Sequence, residues 1–128
     1  MILLVDTHLL LWAAYQPERL SSTARSLIEE RSNTLIFSAA SIWEVSIKSG
    51  LGREDFTADA RVLRRGLLEA DYQEVPISGA HTAAVADLPP THKDPFDRIL
   101  VAQARQEGLT LLTSDRTVAD YGPPARLV

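Results

Sequence analysis

Short runs of consecutive apolar residues, separated by longer helical segments, are the feature that most restricts the fold of this chain. The run Ile2–Val5 is fully apolar, and residues 109–113 follow a helix that Asp94 and Pro95 begin and Gly108 ends. Strands without alternation of apolar and polar residues are typical of parallel sheets that are covered on both faces. The sequence therefore predicts an α/β fold, with helices on both sides of a central parallel sheet.

The rest of the chain continues this alternation over 128 residues, a length that suits one domain with one core. We expect a single domain, 1–128, with about four to five strands in an α/β/α sandwich. The further predicted helices are 7–14, 21–31, 39–49, 57–70, 80–86 and 117–121, with Gly50 ending the third of these. The further predicted strands are 35–37, 74–77 and 125–128.

Composition excludes several classes of protein. The chain has no cysteine, so disulfides and thiolate metal sites are excluded and a cytoplasmic setting is expected. The first residues lack a basic segment and a cleavage site, and no apolar run is long enough for a membrane span, so neither a signal peptide nor a membrane partner is expected. Acidic residues outnumber Lys and Arg by 17 to 13, which argues against charge-driven binding of nucleic acid unless some acids face a cation.

Four acidic residues are predicted to meet at one edge of the sheet. Asp6 directly follows the first strand, and Asp115 lies just beyond the strand of residues 109–113. Asp97 heads a helix face that is otherwise apolar, and Glu44 lies about one turn into the helix after the second strand. Because sites in open parallel sheets form outside the carboxyl ends of the strands, these carboxylates are expected to converge there.

Each acid also has a purely structural interpretation. Asp6 and Asp115 are suitable N-caps for the helices that follow them, and Asp94 is best interpreted as a cap alone. Glu44 completes a capping-box pattern that starts at Ser41. Asp97 in the first turn of its helix is favoured by the helix dipole. Taken singly, none of these acids indicates a site.

Taken together, the acids indicate a cation site. Ionised carboxylates in a shared cleft repel each other, so at least one pKa must rise unless a cation neutralises them. Because the ligands are all oxygen atoms, the site suits Mg²⁺, with Mn²⁺ as a substitute, rather than zinc. Acid clusters with such ions serve phosphodiester cleavage.

Four stretches of the sequence carry a resemblance to a known family. LLVDTH, FSAASIWEVSIK, DPFDRILVAQA and LLTSD resemble, in order, the motifs of PIN-domain proteins, most closely the VapC-like toxins of bacterial type II toxin–antitoxin systems. The resemblance covers the whole chain. It implies a Mg²⁺- or Mn²⁺-dependent endoribonuclease that is usually a homodimer and is held inactive by a cognate VapB-type antitoxin.

The resemblance also implies the site residues. The acidic site of the family falls on Asp6, Glu44, Asp97 and Asp115. Thr113 matches a hydroxyl position that orients a carboxylate or a water molecule on the metal.

Other polar and aromatic residues are expected to have supporting roles. The bases that we favour for contacts with RNA phosphates are Lys48, Arg98 and Arg116. The histidines are expected on the surface or in loops, and the tryptophans in the core or a subunit interface; these residues are His8, His81, His92, Trp12 and Trp43.

Three other functions fit parts of the pattern. A response-regulator receiver domain resembles this chain in length and acidic Mg²⁺ site, but it has an acidic pair after the first strand and a lysine after the fifth. The lysines here are Lys48 and Lys93, and neither follows a late strand. A haloacid-dehalogenase-type phosphatase needs D-x-D, whereas Asp6 is followed by Thr7 and His8. A non-catalytic interaction domain, in which the acids are only caps, remains open.

Overall fold

Five strands alternate with seven α-helices in the computed structural model, which describes residues 1–90 and 92–128. The strands are β1 (Ile2–Val5), β2 (Thr34–Ser38), β3 (Gln73–Val75), β4 (Thr110–Thr113) and β5 (Ala125–Leu127). The helices are α1 (Thr7–Tyr15), α2 (Ser22–Glu29), α3 (Ala39–Gly50), α4 (Ala60–Glu69), α5 (Gly79–Ala84), α6 (Pro95–Glu107) and α7 (Arg116–Ala119). Two short 3₁₀ segments lie at Pro17–Arg19 and Val85–Asp87.

The strands form one sheet in the order β3-β2-β1-β4-β5, and every neighbouring pair is parallel. In β1, Leu3 is paired with Leu35 of β2 on one side and with Thr110 of β4 on the other. The chain builds outward from β1 through β2 to β3 and then returns to the other side of β1 for β4 and β5. The strand order therefore reverses between β1 and β4, which is where ligands bind in sheets of this type.

This strand order differs from the strand order of receiver domains. Receiver domains share the flavodoxin-like order 2-1-3-4-5, in which the first strand lies one place from the edge. Here β1 is the central strand. The receiver alternative is therefore wrong on topology as well as on its missing residues.

The sheet has a core on each face, because neighbouring strand residues point in opposite directions. Leu3, Val5 and Phe37 pack with apolar residues of α1, α3 and α4, whereas Leu4 and Ile36 pack with those of α6 and α7. Both strand faces are apolar, as a sheet covered on two sides requires. The predicted α/β/α arrangement is confirmed.

Most helix ends follow local capping signals. Ser21 caps α2, and Gly108 ends α6 in the left-handed conformation with a φ of 67°. Helix α4 begins later than predicted, at Ala60, because Asp59 accepts hydrogen bonds from the first-turn N–H groups. Helix α3 ends at Gly50 as predicted, but the left-handed residue is Gly52.

The capping-box interpretation of Glu44 was also wrong. Helix α3 begins directly after β2, and its N-cap is Ser38, whose side chain accepts a hydrogen bond from Ala40 N–H. Ser41 lies inside the helix, where its hydroxyl accepts a hydrogen bond from the Thr7 hydroxyl at 2.9 Å. Glu44 therefore has no capping role that explains its position.

One side chain lies elsewhere than expected. His81 is buried rather than on the surface; its Nδ1 accepts a hydrogen bond from Ser78 N–H and its Nε2 bonds Glu107 at 2.7 Å. Trp43 is 55% exposed, so of its two expected places only the subunit interface remains, and its ring packs edge-on against Phe96. Trp12 packs against the core as expected.

None of the helices in the described part of the chain is long and apolar enough to cross a membrane.

Two glycines with opposite backbone requirements give a test of this fold. Gly108→Ala should lower the free energy of unfolding by about 1 kcal/mol, because an L side chain is disfavoured at its positive φ. Gly66→Ala, inside α4 with no atom within 4 Å of the added methyl group, should raise it by about 0.5–1 kcal/mol. Urea unfolding of both variants measures the two changes, and equal signs would contradict the assigned backbone conformations.

Candidate active site

A small acidic cleft of about 140 Å³ lies where β1 and β4 end. It holds all four acids of the predicted site, namely Asp6, Glu44, Asp97 and Asp115. It is completed by Thr7, His8, Lys48, Arg53 and Asp94. The expected convergence of carboxylates at the carboxyl edge of the sheet is therefore present in the structure.

Asp6 is the most deeply placed acid of the cleft. It follows β1 directly, is 7% exposed, and caps α1 by accepting a hydrogen bond from Leu9 N–H at 3.0 Å. Burial raises the pKa of Asp6 from its ordinary value of 3.8 to about 6, although hydrogen bonds from Thr113 and Leu9 oppose the rise. A cation beside this carboxylate would offset the cost of keeping its charge in the cleft.

Thr113 links the acids that follow the two central strands. This residue is fully buried at the end of β4, its hydroxyl accepts a hydrogen bond from Asp115 N–H at 3.0 Å, and it also bonds the carboxylate of Asp6. Asp115 is exposed and caps α7 by accepting hydrogen bonds from the N–H and the hydroxyl of Thr117. One hydroxyl therefore fixes the position of Asp6 relative to the Asp115 backbone.

Asp97 reaches the cleft from the first turn of α6. The face that it heads is buried through Leu100, Val101 and Ala104, as the sequence predicted. Its carboxylate bonds His92 Nε2 at 2.8 Å. Burial raises the pKa of Asp97, the hydrogen bond from His92 lowers it, and the charges of Asp94 and Glu44 raise it again.

Glu44 is paired on one oxygen only. It is 3% exposed, and its Oε2 bonds the ammonium of Lys48 one turn further along α3. The other oxygen, Oε1, is buried and has no hydrogen-bond partner within residues 1–90 and 92–128. A buried carboxylate oxygen without a partner is costly, so this atom indicates a missing ligand.

Asp94 has both a capping role and a place in the cleft. Its side chain accepts hydrogen bonds from Phe96 and Asp97 N–H at the start of α6, as the sequence predicted. Its second oxygen lies 3.6 Å from Lys48 Nζ. Capping therefore does not explain all the contacts of this carboxylate.

The donor set of the cleft fits a hard divalent cation by its chemistry. Its donors are carboxylate oxygens, one of which lacks a partner. No three acidic or histidine side chains in the described residues are placed to enclose an ion together. The reason is visible in their present partners: Lys48 holds Glu44, His92 holds Asp97, and Asp115 bonds Thr117. Binding an ion would therefore draw on carboxylate oxygens that these partners leave unused, such as Glu44 Oε1.

The predicted role of Arg98 in phosphate contacts does not fit its position. Its guanidinium donates hydrogen bonds to the carbonyls of Val85, Pro89 and His92 and to the Tyr121 hydroxyl, at 2.7–3.1 Å. These bonds join the segment before α6 to α6 itself and to Tyr121, which follows α7. Of the other predicted bases, Lys48 lies inside the cleft and Arg116 is exposed next to Asp115.

Sequence reasoning missed the contacts of two basic residues. The sequence predicts only a surface or loop position for His92 and a phosphate contact for Lys48. The spacing of four residues between Glu44 and Lys48 on one helix was the available signal for their ion pair. No local signal linked His92 to Asp97, because the direction of the loop decides that contact.

A larger groove of about 490 Å³ lies between α1 and α4. Its lining is uncharged, with Tyr15, Leu63, Leu67 and Tyr72 among its residues. Because no carboxylate or imidazole lines it, this groove does not suit a divalent cation as the acidic cleft does.

Together, the central β1 and the carboxylates at the point where the strand order reverses define a class of α/β proteins with an acidic cleft at the carboxyl edge of the sheet. The profile of the PIN domain family matches residues 3–122. The chain belongs to the PIN domain family.

Individual proteins support this assignment. Ribonuclease VapC22 of Mycobacterium tuberculosis is 29% identical over 122 residues, which cover 94% of this chain and 92% of that protein. The structure of VapBC2 from Rickettsia felis bound to a promoter DNA fragment has a TM-score of 0.69 at 16% identity, over 100% of this chain and 98% of that one. The sarcin-ricin loop cleaving toxin VapC20 of M. tuberculosis has a TM-score of 0.68 at 14% identity, covering 94% and 95%. At these identities the structures show a shared fold.

The contacts of Arg98 predict a structural role for its guanidinium. Arg98→Met should lower the free energy of unfolding by about 2 kcal/mol, because the hydrogen bonds are lost while most of the apolar stem is kept. Arg116→Met, the exposed control, should change it by less than about 0.5 kcal/mol. Chemical denaturation of both variants measures the difference, and equal stabilities would contradict this role.

The raised pKa of Asp6 predicts a pH dependence of stability without metal. The folded state binds the proton of the Asp6 carboxyl more tightly than the unfolded state does. Protonated Asp6 therefore stabilises the fold fully below pH 3.8, and this contribution is lost as pH rises through about 6. The shift corresponds to roughly 3 kcal/mol. Between pH 4 and pH 7 in EDTA, the stability of Asp6→Asn relative to the wild type should therefore increase by about 2 kcal/mol, since the rest of the change lies below pH 4.

Asp59→Asn is the matched control for this measurement, since Asp59 also caps a helix but is exposed and lies outside the cleft. The same pH dependence in both variants would mean that burial of Asp6 is not its cause.

Proposed function

We propose that this protein is a metal-dependent endoribonuclease that cleaves RNA phosphodiester bonds at the acidic cleft. The observation that carries the proposal is the placement of Asp6, Glu44, Asp97 and Asp115 in one cleft, with a buried Glu44 oxygen that lacks a partner within the described residues. The likeness to a protein named as a ribonuclease supports the same activity.

The four acids are the residues that would hold Mg²⁺, with Mn²⁺ able to substitute. When bound, the ion supplies charge stabilisation to the phosphoryl group and makes water a stronger nucleophile at neutral pH. The chain itself supplies the carboxylate positions. Asp6 and Asp115 are set by the ends of β1 and β4. Glu44 is set by the second turn of α3 and Asp97 by the first turn of α6.

Other residues orient this set and bind the substrate. Thr113 holds Asp6 through its hydroxyl, and His92 holds Asp97. Arg116 is exposed beside Asp115, where its guanidinium is available to an RNA phosphate. Arg98 is left out of this role because its donors are bound to backbone carbonyls.

The proposed biological setting is a type II toxin–antitoxin system of the cytoplasm, in which a cognate VapB-type antitoxin neutralises the enzyme. Similar structures include VapBC-1 from nontypeable Haemophilus influenzae, at a TM-score of 0.65 and 16% identity over 100% of this chain and 97% of that one. We also propose a homodimer. Apolar side chains exposed on and just after α3, at Trp43, Ile47 and Leu51, support burial against another chain.

A non-catalytic interaction domain is the second candidate. It is favoured by one observation, that Asp6, Asp94 and Asp115 each cap a helix. Capping does not account for Glu44 and Asp97, whose burial has no structural benefit of this kind. The two candidates differ in whether loss of a carboxylate removes an activity.

Cleavage of RNA should depend on both the ion and the acids. EDTA should abolish cleavage, and added Mg²⁺ or Mn²⁺ should restore it. Asp6→Asn, Asp97→Asn and the double variant should all fall to near background, because groups that act as a unit give non-additive losses. Cleavage of labelled RNA by purified protein, and growth after induction without antitoxin, are the measurements.

Asp59→Asn again serves as the control, since it changes a capping carboxylate outside the cleft. It should keep wild-type cleavage and toxicity. Full cleavage in EDTA would exclude the metal mechanism. A folded Asp97→Asn protein with wild-type activity would mean that the site is wrongly assigned.

A further inference from the structure

Lys48 is a cation built into the acidic cleft. Its Nζ lies 2.5 Å from Glu44 Oε2 and 3.6 Å from Asp94 Oδ2, and its side chain is only 13% exposed. An ammonium so far removed from water is costly unless it is paired. The two carboxylates provide that pairing, so the position of Lys48 depends on them.

Two aromatic rings hold the ammonium in this place. Lys48 Nζ lies 4.8 Å from the ring centroid of Phe56 and 5.4 Å from that of Phe96. Phe56 is almost fully buried, and Phe96 is packed edge-on by Trp43. Cation–π contacts of this kind favour a charged group at a fixed location. Lys48 is therefore not a flexible surface lysine.

The acids of the cleft therefore form two groups, those that pair with Lys48 and those that do not. Glu44 and Asp94 share Lys48. Asp6 and Asp97 bond neutral or titratable groups instead, namely Thr113 and His92. The guanidinium of Arg53, which also lines the cleft, pairs with Asp55. Among the described residues, Lys48 is therefore the Lys or Arg side chain that contacts acids of the cleft, and it does so away from Asp6.

We propose that Lys48 takes the place of a second divalent ion, so that the cleft loads one ion per chain. Lys48 acts as a positioning residue: it holds Glu44 by Oε2 and leaves the unpartnered Oε1 facing the ion that Asp6 and Asp97 bind. This inference rests on the metal-dependent function proposed above. The inference adds the number of divalent ions bound per chain and the physical reason for that number.

Charge repulsion and the small volume of the cleft both disfavour a second divalent ion. In two-metal sites the ions lie about 3.5–4 Å apart and share carboxylates between them. An ammonium bonded to Glu44 and Asp94 already occupies such a shared position in a cleft of about 140 Å³. A second divalent ion would have to displace it or approach it against strong repulsion.

Binding of Mn²⁺ to the purified, metal-free protein tests this inference. Calorimetric titration and electron paramagnetic resonance of free Mn²⁺ give the number of ions bound. We expect one ion for the wild type and two for Lys48→Met, which removes the ammonium but keeps an apolar stem against the rings. Lys93→Met removes the other lysine, which is exposed, and should still bind one.

A wild type that binds two ions would overturn the inference, and so would a folded Lys48→Met protein that binds only one. If Lys48→Met does not fold, Lys48→Gln replaces it, and the wild-type stoichiometry decides independently. RNA cleavage by the same samples separates this inference from the proposed function. One bound ion without cleavage would refute the function alone, whereas cleavage with two bound ions would refute the inference alone.

Discussion

Burial of carboxylates at the meeting point of β1 and β4 is the constraint on which the arrangement of the cleft depends. Asp6 is almost completely buried, and burial and the charges of Asp94 and Glu44 raise the pKa of Asp97. The fold reduces the cost of this burial by giving each carboxylate a partner of its own: a helix N-terminus, a hydroxyl, an imidazole or the Lys48 ammonium. Only Glu44 Oε1, among the described residues, is left without one.

Capping and site formation are compatible functions of one residue. The sequence presented them as alternatives for Asp6 and Asp115, and the structure has both residues capping helices and lining the cleft. The reason is geometric, since in α/β units a helix often begins just after the strand that ends at the site. The cap fixes one carboxylate oxygen, and the other remains available.

Local signals in the sequence predicted most of the fold and four of the five acids that line the cleft. The apolar run of β1, the Asp94–Pro95 start and the Gly108 end of α6 are interactions within a few residues, and the convergence of acids follows from parallel strands. The errors at Ser41 and Arg98 have a different cause, because partners of these residues lie far along the chain. Ser41 bonds Thr7, 34 residues away, and Arg98 bonds Tyr121, 23 residues away.

The central position of β1 has a consequence for the timing of synthesis. Strand β1 pairs on one side with β2 and on the other with β4, which is translated later, near residue 110. A nascent chain that has not yet exposed β4 lacks Thr113 and Asp115, and its Asp6 has no neighbouring strand beside it on that side. Because the cleft needs contacts between β1 and residues beyond 110, it is assembled only after that part of the chain has emerged.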